Sequence, residues 1–460
     1  MTHRHYEVPE SLAVRGRDRF ELGREAARVS GRRTNAIVKA LARWAKAHPD
    51  VLGEIGGRPL DSLEQGARME LDGAAGALCL APDDLFAARR LFESLAQTAC
   101  TNFGAVGPAN EDGGVMLSWN MDLPPYFWLL LGRFPLFVRD LDGCIPYLCF
   151  GVPALLGIGV MNVEGLTCVV NAVGMTDEGD GLSAFEMNNI AMETCSTVEQ
   201  AAKVYEQGPR GVIKGMTFAL LMNFNTIWAD REKNLSLFEY SHNYFHEEKA
   251  GVKGTIASTN HHQFIDRSLD GSFDPSTQEL ITGSFSRLGR MYALLDEYHG
   301  RIGPEVARSI VSDHTPDYSL LDEFGIKPEW WEGKIDDSTI CAHAWNLKKH
   351  LLRGEISEAA MEVGFSTTMY SMQYQPLSMT SWFTLGHPCS NPVVPIYWGD
   401  LLGSEAERYP GAVEPHEVFK SRRETKRGQG FRRDATGLAG AMGRAWVAMT
   451  RAAEKPNFKE

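Results

Sequence analysis

The sequence predicts an α+β protein with large antiparallel sheets covered by helices, and three observations predict it. Residues 18 to 98 read as helical, with almost no strand signal. At Cys100 the texture changes abruptly to short apolar runs broken by turn residues. Beyond it, strand-like stretches are interrupted by helical ones and then return, the order expected of sheets with helices laid over them.

Each element follows in turn. Phe20 through Trp44 is rich in Ala, Arg, Glu and Leu, and Asp83 to Gln97 repeats apolar residues at helical spacing. After Cys100, Asn-Glu-Asp-Gly-Gly (110–114), Leu-Asp-Gly (141–143) and Asn-Val-Glu-Gly (162–165) read as turns between antiparallel strands. Residues 183–207 are expected to form one or two helices, and Phe218 to Tyr240 with Gly254 to Ser258 to be strands. Residues 286–315 are expected to be helical, and 366–385 alternate as a hairpin does. A boundary therefore falls near 99/100, dividing a helical block (1–99) from a body (100–400). The stretch 401–460 is expected to be a helical tail on that body, with a basic cluster of Lys420, Arg422, Arg423, Lys426, Arg427, Arg432 and Arg433 that reads as a solvated or docking face.

Composition narrows the function. The chain has 460 residues, of which 43% are hydrophobic, including 10 Trp and 22 Phe, enough for a large core. A net charge of −13 disfavours nucleic acid or an anionic membrane as partner. No apolar run suits a signal peptide or a membrane span, so a cytoplasmic protein is expected. The eight cysteines show no CxxC pair, which suggests neither a disulfide framework nor a zinc ribbon, and no cofactor or metal is expected.

Cys100 carries the chemical reading. A hairpin centred on Glu111 would bring Asp122 opposite or diagonal to the Cys100 thiol. Alone, Cys100 reads as a buried strand cysteine, but its surroundings form a larger pattern. Ala-Cys-Thr-Asn-Phe (99–103), the turn, then Ser-Trp-Asn-Met-Asp-Leu (118–123) resembles the start of the catalytic chain in the penicillin acyltransferase family of N-terminal nucleophile (Ntn) hydrolases. More distantly it is similar to the choloylglycine hydrolases. Residues 157–171, Ser-Thr-Asn-His-His (258–262) and Ser-Thr-Ile-Cys-Ala-His (338–343) resemble further family segments in the same order, and Phe20 to Ala26 resembles the helical prosegment. The resemblance runs from about residue 16 to about 390.

The resemblance implies an αββα sandwich of two antiparallel sheets between helix layers, preceded by a helical prosegment. It also implies self-cleavage between Ala99 and Cys100, which makes Cys100 a new N-terminus. A thiol of pKa about 8.5 needs a base, and the freed α-amino group, of pKa about 8, can serve as one. By resemblance Asn260 is the leading oxyanion donor, and Asp122 orients the α-ammonium. Asn171, Thr259 and His261 form a second tier near the oxyanion or substrate. Read without the family, Asn260 and Asp122 would be turn formers. Ala342 stands after Cys341 where the family carries Arg, and His343 reads as a buried, hydrogen-bonded histidine. The aromatic run from Pro124 to Phe137, with Tyr126, Phe127 and Trp128, is either core or a hydrophobic acyl pocket.

The expected function is therefore hydrolysis or acyl transfer at a linear amide through a Cys100 thioester. Its partners are a small-molecule amide or acyl donor and its own cleaved N-terminal chain, with a homo-oligomer compatible. Three competitors stand. A zinc hydrolase using His261, His262 and His343 lacks an HExxH motif. A papain-like protease lacks its cysteine signature. An inactive relative serving as a binding scaffold would retain Cys100, Asp122 and Asn260 without use.

Overall fold

Helix formers bounded by end signals open the chain. In the computed structural model, which describes residues 12–56, 59–95, 99–123, 127–132, 134–214, 221–271, 278–323, 339–343, 353 and 367–418, Asp18 caps α1 (Arg19–Val29) by accepting from the Glu21 amide at 2.8 Å. Then come α2 (Gly31–Ala47), α3 (Pro49–Ile55), α4 (Gln65–Leu78) and α5 (Pro82–Leu95). Helices α1 and α4 approach through glycines: a Cβ on Gly23 would strike the Glu70 carbonyl, and one on Gly73 the Phe20 carbonyl. One expectation is corrected here, because this block is not purely helical. Its strand β1 (Ala13–Gly16) pairs in parallel with β4 (Leu136–Leu141) of the body, Ala13 opposite Val138. Four residues are too few for alternation to register as a strand signal.

From residue 99 onward two sheets form. β2 (Ala99–Val106) and β3 (Val115–Asp122) make a hairpin; β5 (Tyr147–Gly151), β6 (Gly157–Asn162) and β7 (Thr167–Met175) continue from β4 as a meander. Helix α6 (Phe127–Leu131) lies between β3 and β4. Helices α7 (Ala184–Thr194) and α8 (Val198–Gln207) follow, the first entered through a capping box of Ser183 and Glu186. Next come β8 (Ile213–Lys214), β9 (Leu221–Ala229), β10 (Leu235–Tyr240), β11 (Phe245–Lys249) and β12 (Thr255–Ser258). Then α9 (Gln278–Glu297), α10 (Pro304–Val311) and α11 (Ser319–Glu323) lead to β13 (Thr368–Gln375), β14 (Thr380–Leu385), β15 (Val393–Tyr397) and α12 (Gly399–Leu402). The helical region expected at 286–315 starts earlier and is split, because Gly300 takes a left-handed conformation (φ +79°) between α9 and α10.

The first sheet runs β1-β4-β5-β6-β7-β9-β10-β11, with β8 beside β9; the second runs β12-β2-β3-β13-β14-β15. They lie face to face, with β2 and β3 against β7 and β9. Helices α7 and α8 cover the outer face of the first sheet, and α9 and α10 that of the second. This is the expected α+β sandwich, in four layers. Apolar residues fill the gap between the sheets and a second core under α9 and α10. Among the described residues no helix is long and apolar enough to cross a membrane. The basic cluster at 420–433 lies outside the described residues.

The N-terminal helices are tied to the body by desolvated ion pairs. Arg19 meets Glu193 at 2.5 Å, and Arg139 holds Glu70 with two bonds of 3.0 Å. Burial alone would raise the Glu70 carboxyl, but Arg139, Arg89 and Arg19 hold it down to about 2. These four residues help line a cavity of about 200 Å³ between block and body, together with Arg89, Glu93 and Glu186. There the Glu93 carboxyl accepts from Ser183 Oγ at 2.8 Å. Burial, and then the Glu186 carboxylate, push it up to about 8.

Glu93 thus stays protonated in the folded protein at pH values where the unfolded chain, at about 4.3, has ionised. Stability present below that value is lost as pH rises toward the folded value. Glu93→Gln, neutral throughout, is expected to melt within about 1 °C of the parent near pH 5 and at least about 3 °C above it near pH 9. Thermal melts in which the difference does not grow with pH contradict this.

Candidate active site

The β2–β3 ladder places Ala99 opposite Asp122, Cys100 opposite Met121 and Asn102 opposite Trp119. The expected pairing of Cys100 with Asp122 is therefore corrected by one residue. The connection closes with Gly107 N–H on Gly114 O at 3.0 Å, which centres the loop between Asn110 and Glu111 rather than on Glu111. Because side chains alternate across a strand, this slip moves Asp122 to the face away from the thiol. Cys100, 1% exposed, and Met121 point into the gap between the sheets. Asp122 points instead toward the layer of α10, where Thr368 Oγ1 donates to its Oδ1 at 2.6 Å.

One loop and one helix converge on the backbone of Cys100. Its N–H donates to Asn260 Oδ1 at 2.9 Å. Arg287, 3% exposed on α9, donates from Nη1 to the Cys100 carbonyl oxygen at 2.5 Å and to Thr101 Oγ1 at 2.9 Å. Its Nη2 donates to Asn260 Oδ1 at 2.9 Å. Asn260 Nδ2 donates in turn to the Ala172 carbonyl at 2.9 Å. The orientation of that amide is fixed by its neighbours, since a backbone N–H and a guanidinium only donate and a carbonyl only accepts. The atom Asn260 turns to Cys100 is its oxygen.

The second-tier residues brace this arrangement. Asn260 N–H donates to Ser284 Oγ at 2.8 Å; His261 Nδ1 lies 2.7 Å from the same hydroxyl, and Thr259 Oγ1 donates to the Ser284 carbonyl at 3.0 Å. Burial pushes His261 down to about 3, so its ring is neutral. Asn171 donates to Ser258 Oγ across the sheet gap at 2.6 Å. Ser258 faces Asn102 on β2. Asn102 shares the thiol's face of the strand and is fully buried, and neither of its amide atoms has a partner among the described residues.

Other expectations do not meet here. Phe127 is 1% exposed and packs edge-on to Phe92 of α5 at 5.9 Å between centroids, so it is core rather than pocket wall. Tyr126 and the side chain of Trp128 lie outside the described residues. The cavity beside Glu93 does not reach Cys100. The three histidines of the zinc-hydrolase reading are dispersed: His261 is on Ser284, and His262 pairs with Asp270 at 3.1 Å. His343 is partly exposed rather than buried, within contact of His314, Cys341 and Cys389. Sequence reasoning missed Arg287 and Ser284. A signal was present in principle, because Arg287 is a lone cation at helical spacing among Ser284, Leu288 and Met291 on the face of α9 that packs inward.

Over residues 147–330 the chain matches the family model described as acyl-coenzyme A:6-aminopenicillanic acid acyl-transferase. That stretch includes Asn171, Asn260 and Arg287 and begins after Cys100 and Asp122. No curated protein matches the chain. Among solved structures it is similar to penicillin V acylase from Agrobacterium tumefaciens, with 14% identity, a TM-score of 0.34, and coverage of 67% of this chain and 89% of that one. It is also similar to conjugated bile acid hydrolase from Clostridium perfringens, with 13% identity, a TM-score of 0.35, and coverage of 68% and 98%. The family whose model matches residues 147–330 is thus the one that the motifs of this chain resemble.

Proposed function

We propose that the chain cuts itself between Ala99 and Cys100 and then acts on a linear amide as an amidohydrolase or acyltransferase, with Cys100 as N-terminal nucleophile. The observation that carries this reading is the hold on both sides of the Cys100 backbone, N–H by Asn260 and C=O by Arg287. Past the end of β12, opposite Asn102, a buried N–H and C=O need partners of some kind, and here both partners are side chains, one of them a buried cation. A bond about to be broken at that nitrogen does need it fixed in place.

In the first step Cys100 Sγ attacks the Ala99 carbonyl carbon, the C–N bond breaks, the nitrogen takes a proton, and a thioester remains. Water hydrolyses that thioester, freeing the thiol and the α-amine. The amine nitrogen then occupies the place of the amide nitrogen beside Asn260 Oδ1, and the Arg287 guanidinium next to it favours the neutral, basic form. Asp122, opposite Ala99 and on the far face from the thiol, has in this scheme the role of steadying the protonated amine by its charge rather than touching the sulfur. The amine accepts the thiol proton, the thiolate attacks the substrate amide, and the proton passes to the leaving amine. Water or an acceptor amine resolves the acyl thioester.

Asn260 takes a changed role in this scheme. In the uncut chain it is an acceptor toward Cys100, and it donates to an oxyanion only from Nδ2, beside the Ala172 carbonyl. The helical block 1–99 remains as a small chain, held by β1 in the first sheet and by the Arg19–Glu193 and Arg139–Glu70 pairs. Residues 100–400 form the catalytic body.

Replacing Arg287 by Met removes the cation beside the amine and should raise the amine's proton affinity. The acid limb of kcat/KM against pH is then expected to move up by about one pH unit. An unmoved limb in a processed variant leaves Arg287 a purely structural role.

Cys100→Ala should remain a folded 460-residue chain with no turnover of N-acyl amino acids, β-lactams or other amides that the parent cleaves. Cys100→Ser should process slowly, a hydroxyl being the poorer nucleophile near neutral pH. In the parent, quenched turnover should add one acyl group to the large chain, sensitive to hydroxylamine and mapping to Cys100. Acylation elsewhere, or turnover by the Ala variant, overturns the proposal.

A further inference from the structure

A second group of chemically able side chains lies apart from the Cys100 thiol. His314 follows α10, Cys341 and His343 sit in the segment 339–343, and Cys389 follows β14. One ligand atom from each lies within 4.8 Å of all the others. His343 Nε2 is 3.2 Å from His314 Nε2, 3.4 Å from Cys341 Sγ and 3.3 Å from Cys389 Sγ.

Those three distances match the edges of a tetrahedron around zinc. Bonds of about 2.3 Å to sulfur and about 2.0 Å to nitrogen imply about 3.3 Å between two nitrogens and about 3.5 Å between nitrogen and sulfur. Hydrogen bonding alone does not account for the cluster. A single imidazole nitrogen has either one proton or one lone pair, so it cannot satisfy another imidazole nitrogen and two sulfurs at once. A cation at the centre, with both thiols ionised, turns four mutually crowded lone pairs into four bonds. Stacking of His387 on His343, at 3.7 Å between centroids and 10° between planes, holds the ring in that direction.

We propose that His314, Cys341, His343 and Cys389 bind one zinc(II) ion in a closed, structural Cys₂His₂ site. Four protein ligands leave no open position for water or substrate, so the ion acts as a clip and not as a Lewis acid at the amide. It joins the ends of three separate segments. Around the clip, Cys341 N–H donates to the Asp313 carbonyl at 3.0 Å, and Asp313 is held by Arg290 of α9 at 2.8 Å. Ala342, between two of the ligands, donates from its N–H to Thr368 Oγ1 at 3.0 Å and accepts from Thr368 N–H at 3.1 Å. Thr368 is the residue whose hydroxyl bonds Asp122. The ion therefore also positions Asp122, two hydrogen bonds away, without touching it.

Metal analysis of the full-length protein, purified without chelator or affinity nickel, should find zinc equimolar with chain. Replacement by cobalt(II) should give the intense visible bands of a tetrahedral thiolate site. Cys389→Ser and His314→Gln change exposed loop residues and should leave the fold intact by circular dichroism while lowering zinc content at least about tenfold after dialysis against a competing chelator. Thermal melts should show the parent, but not the double variant, losing stability when zinc is stripped. Substoichiometric zinc in parent protein from zinc-supplemented cells, a Cys341–Cys389 disulfide in its place, or full zinc retention by the double variant would overturn the proposal. None of these readouts depends on self-cleavage or amide turnover.

Discussion

Arg287 is 3% exposed and cationic at any physiological pH, so its place in the interior depends on finding acceptors for its donors. It finds them on the Cys100 carbonyl, Thr101 Oγ1, Asn260 Oδ1 and the Gly283 carbonyl. That set joins α9 to the first residues of β2 and to the loop after β12. Everything proposed for Cys100 rests on it. Once the guanidinium fixes Asn260 Oδ1, the oxygen can only face a donor, and the donor there is the nitrogen of Cys100. The sheet register carries the same constraint outward, because Cys100 in line with Met121 puts the thiol between the sheets and turns Asp122 to the opposite face, toward Thr368.

The N-terminal block is bound by two kinds of force with different pH behaviour. Apolar faces and the Gly23–Gly73 approach hold its helices together, while β1 and the buried arginine–carboxylate pairs hold them to the body. Removing one partner of such a pair leaves a buried charge uncompensated, which makes detachment costly even though the intact pair adds little net stability. A cut at residue 99 would thus open the thiol without releasing the block. The Glu93–Glu186 neighbourhood runs the other way, burial first and then the second carboxylate keeping a proton on Glu93.

The layered α+β fold was legible because each part of it is a local pattern: helical spacing before residue 95, alternation around turns after residue 99, and the paired helices at 183–207. What escaped was set by partners distant in sequence. β1 becomes a strand only by pairing with β4, more than a hundred residues on. The one-residue slip at Cys100 was decided by where the turn closes, which composition does not specify. Asn260 stood out through its neighbours Thr259 and His261, yet its orientation depends on Arg287, whose helix reads as ordinary amphipathic surface. The cysteine count pointed away from metal, because the four ligand residues come from positions 314, 341, 343 and 389 and share no compact motif.

Both sites converge on Asp122, one through the strand opposite Ala99 and the other through Thr368 and Ala342. The central claim remains that the nitrogen of Cys100 is held because it becomes a free amine. N-terminal sequencing of the purified, active protein tests this most directly. Two copurifying chains of about 11 and about 40 kDa on length scaling are expected, the larger beginning at Cys100. A larger chain beginning anywhere else, or full activity in a single uncut chain, would contradict it.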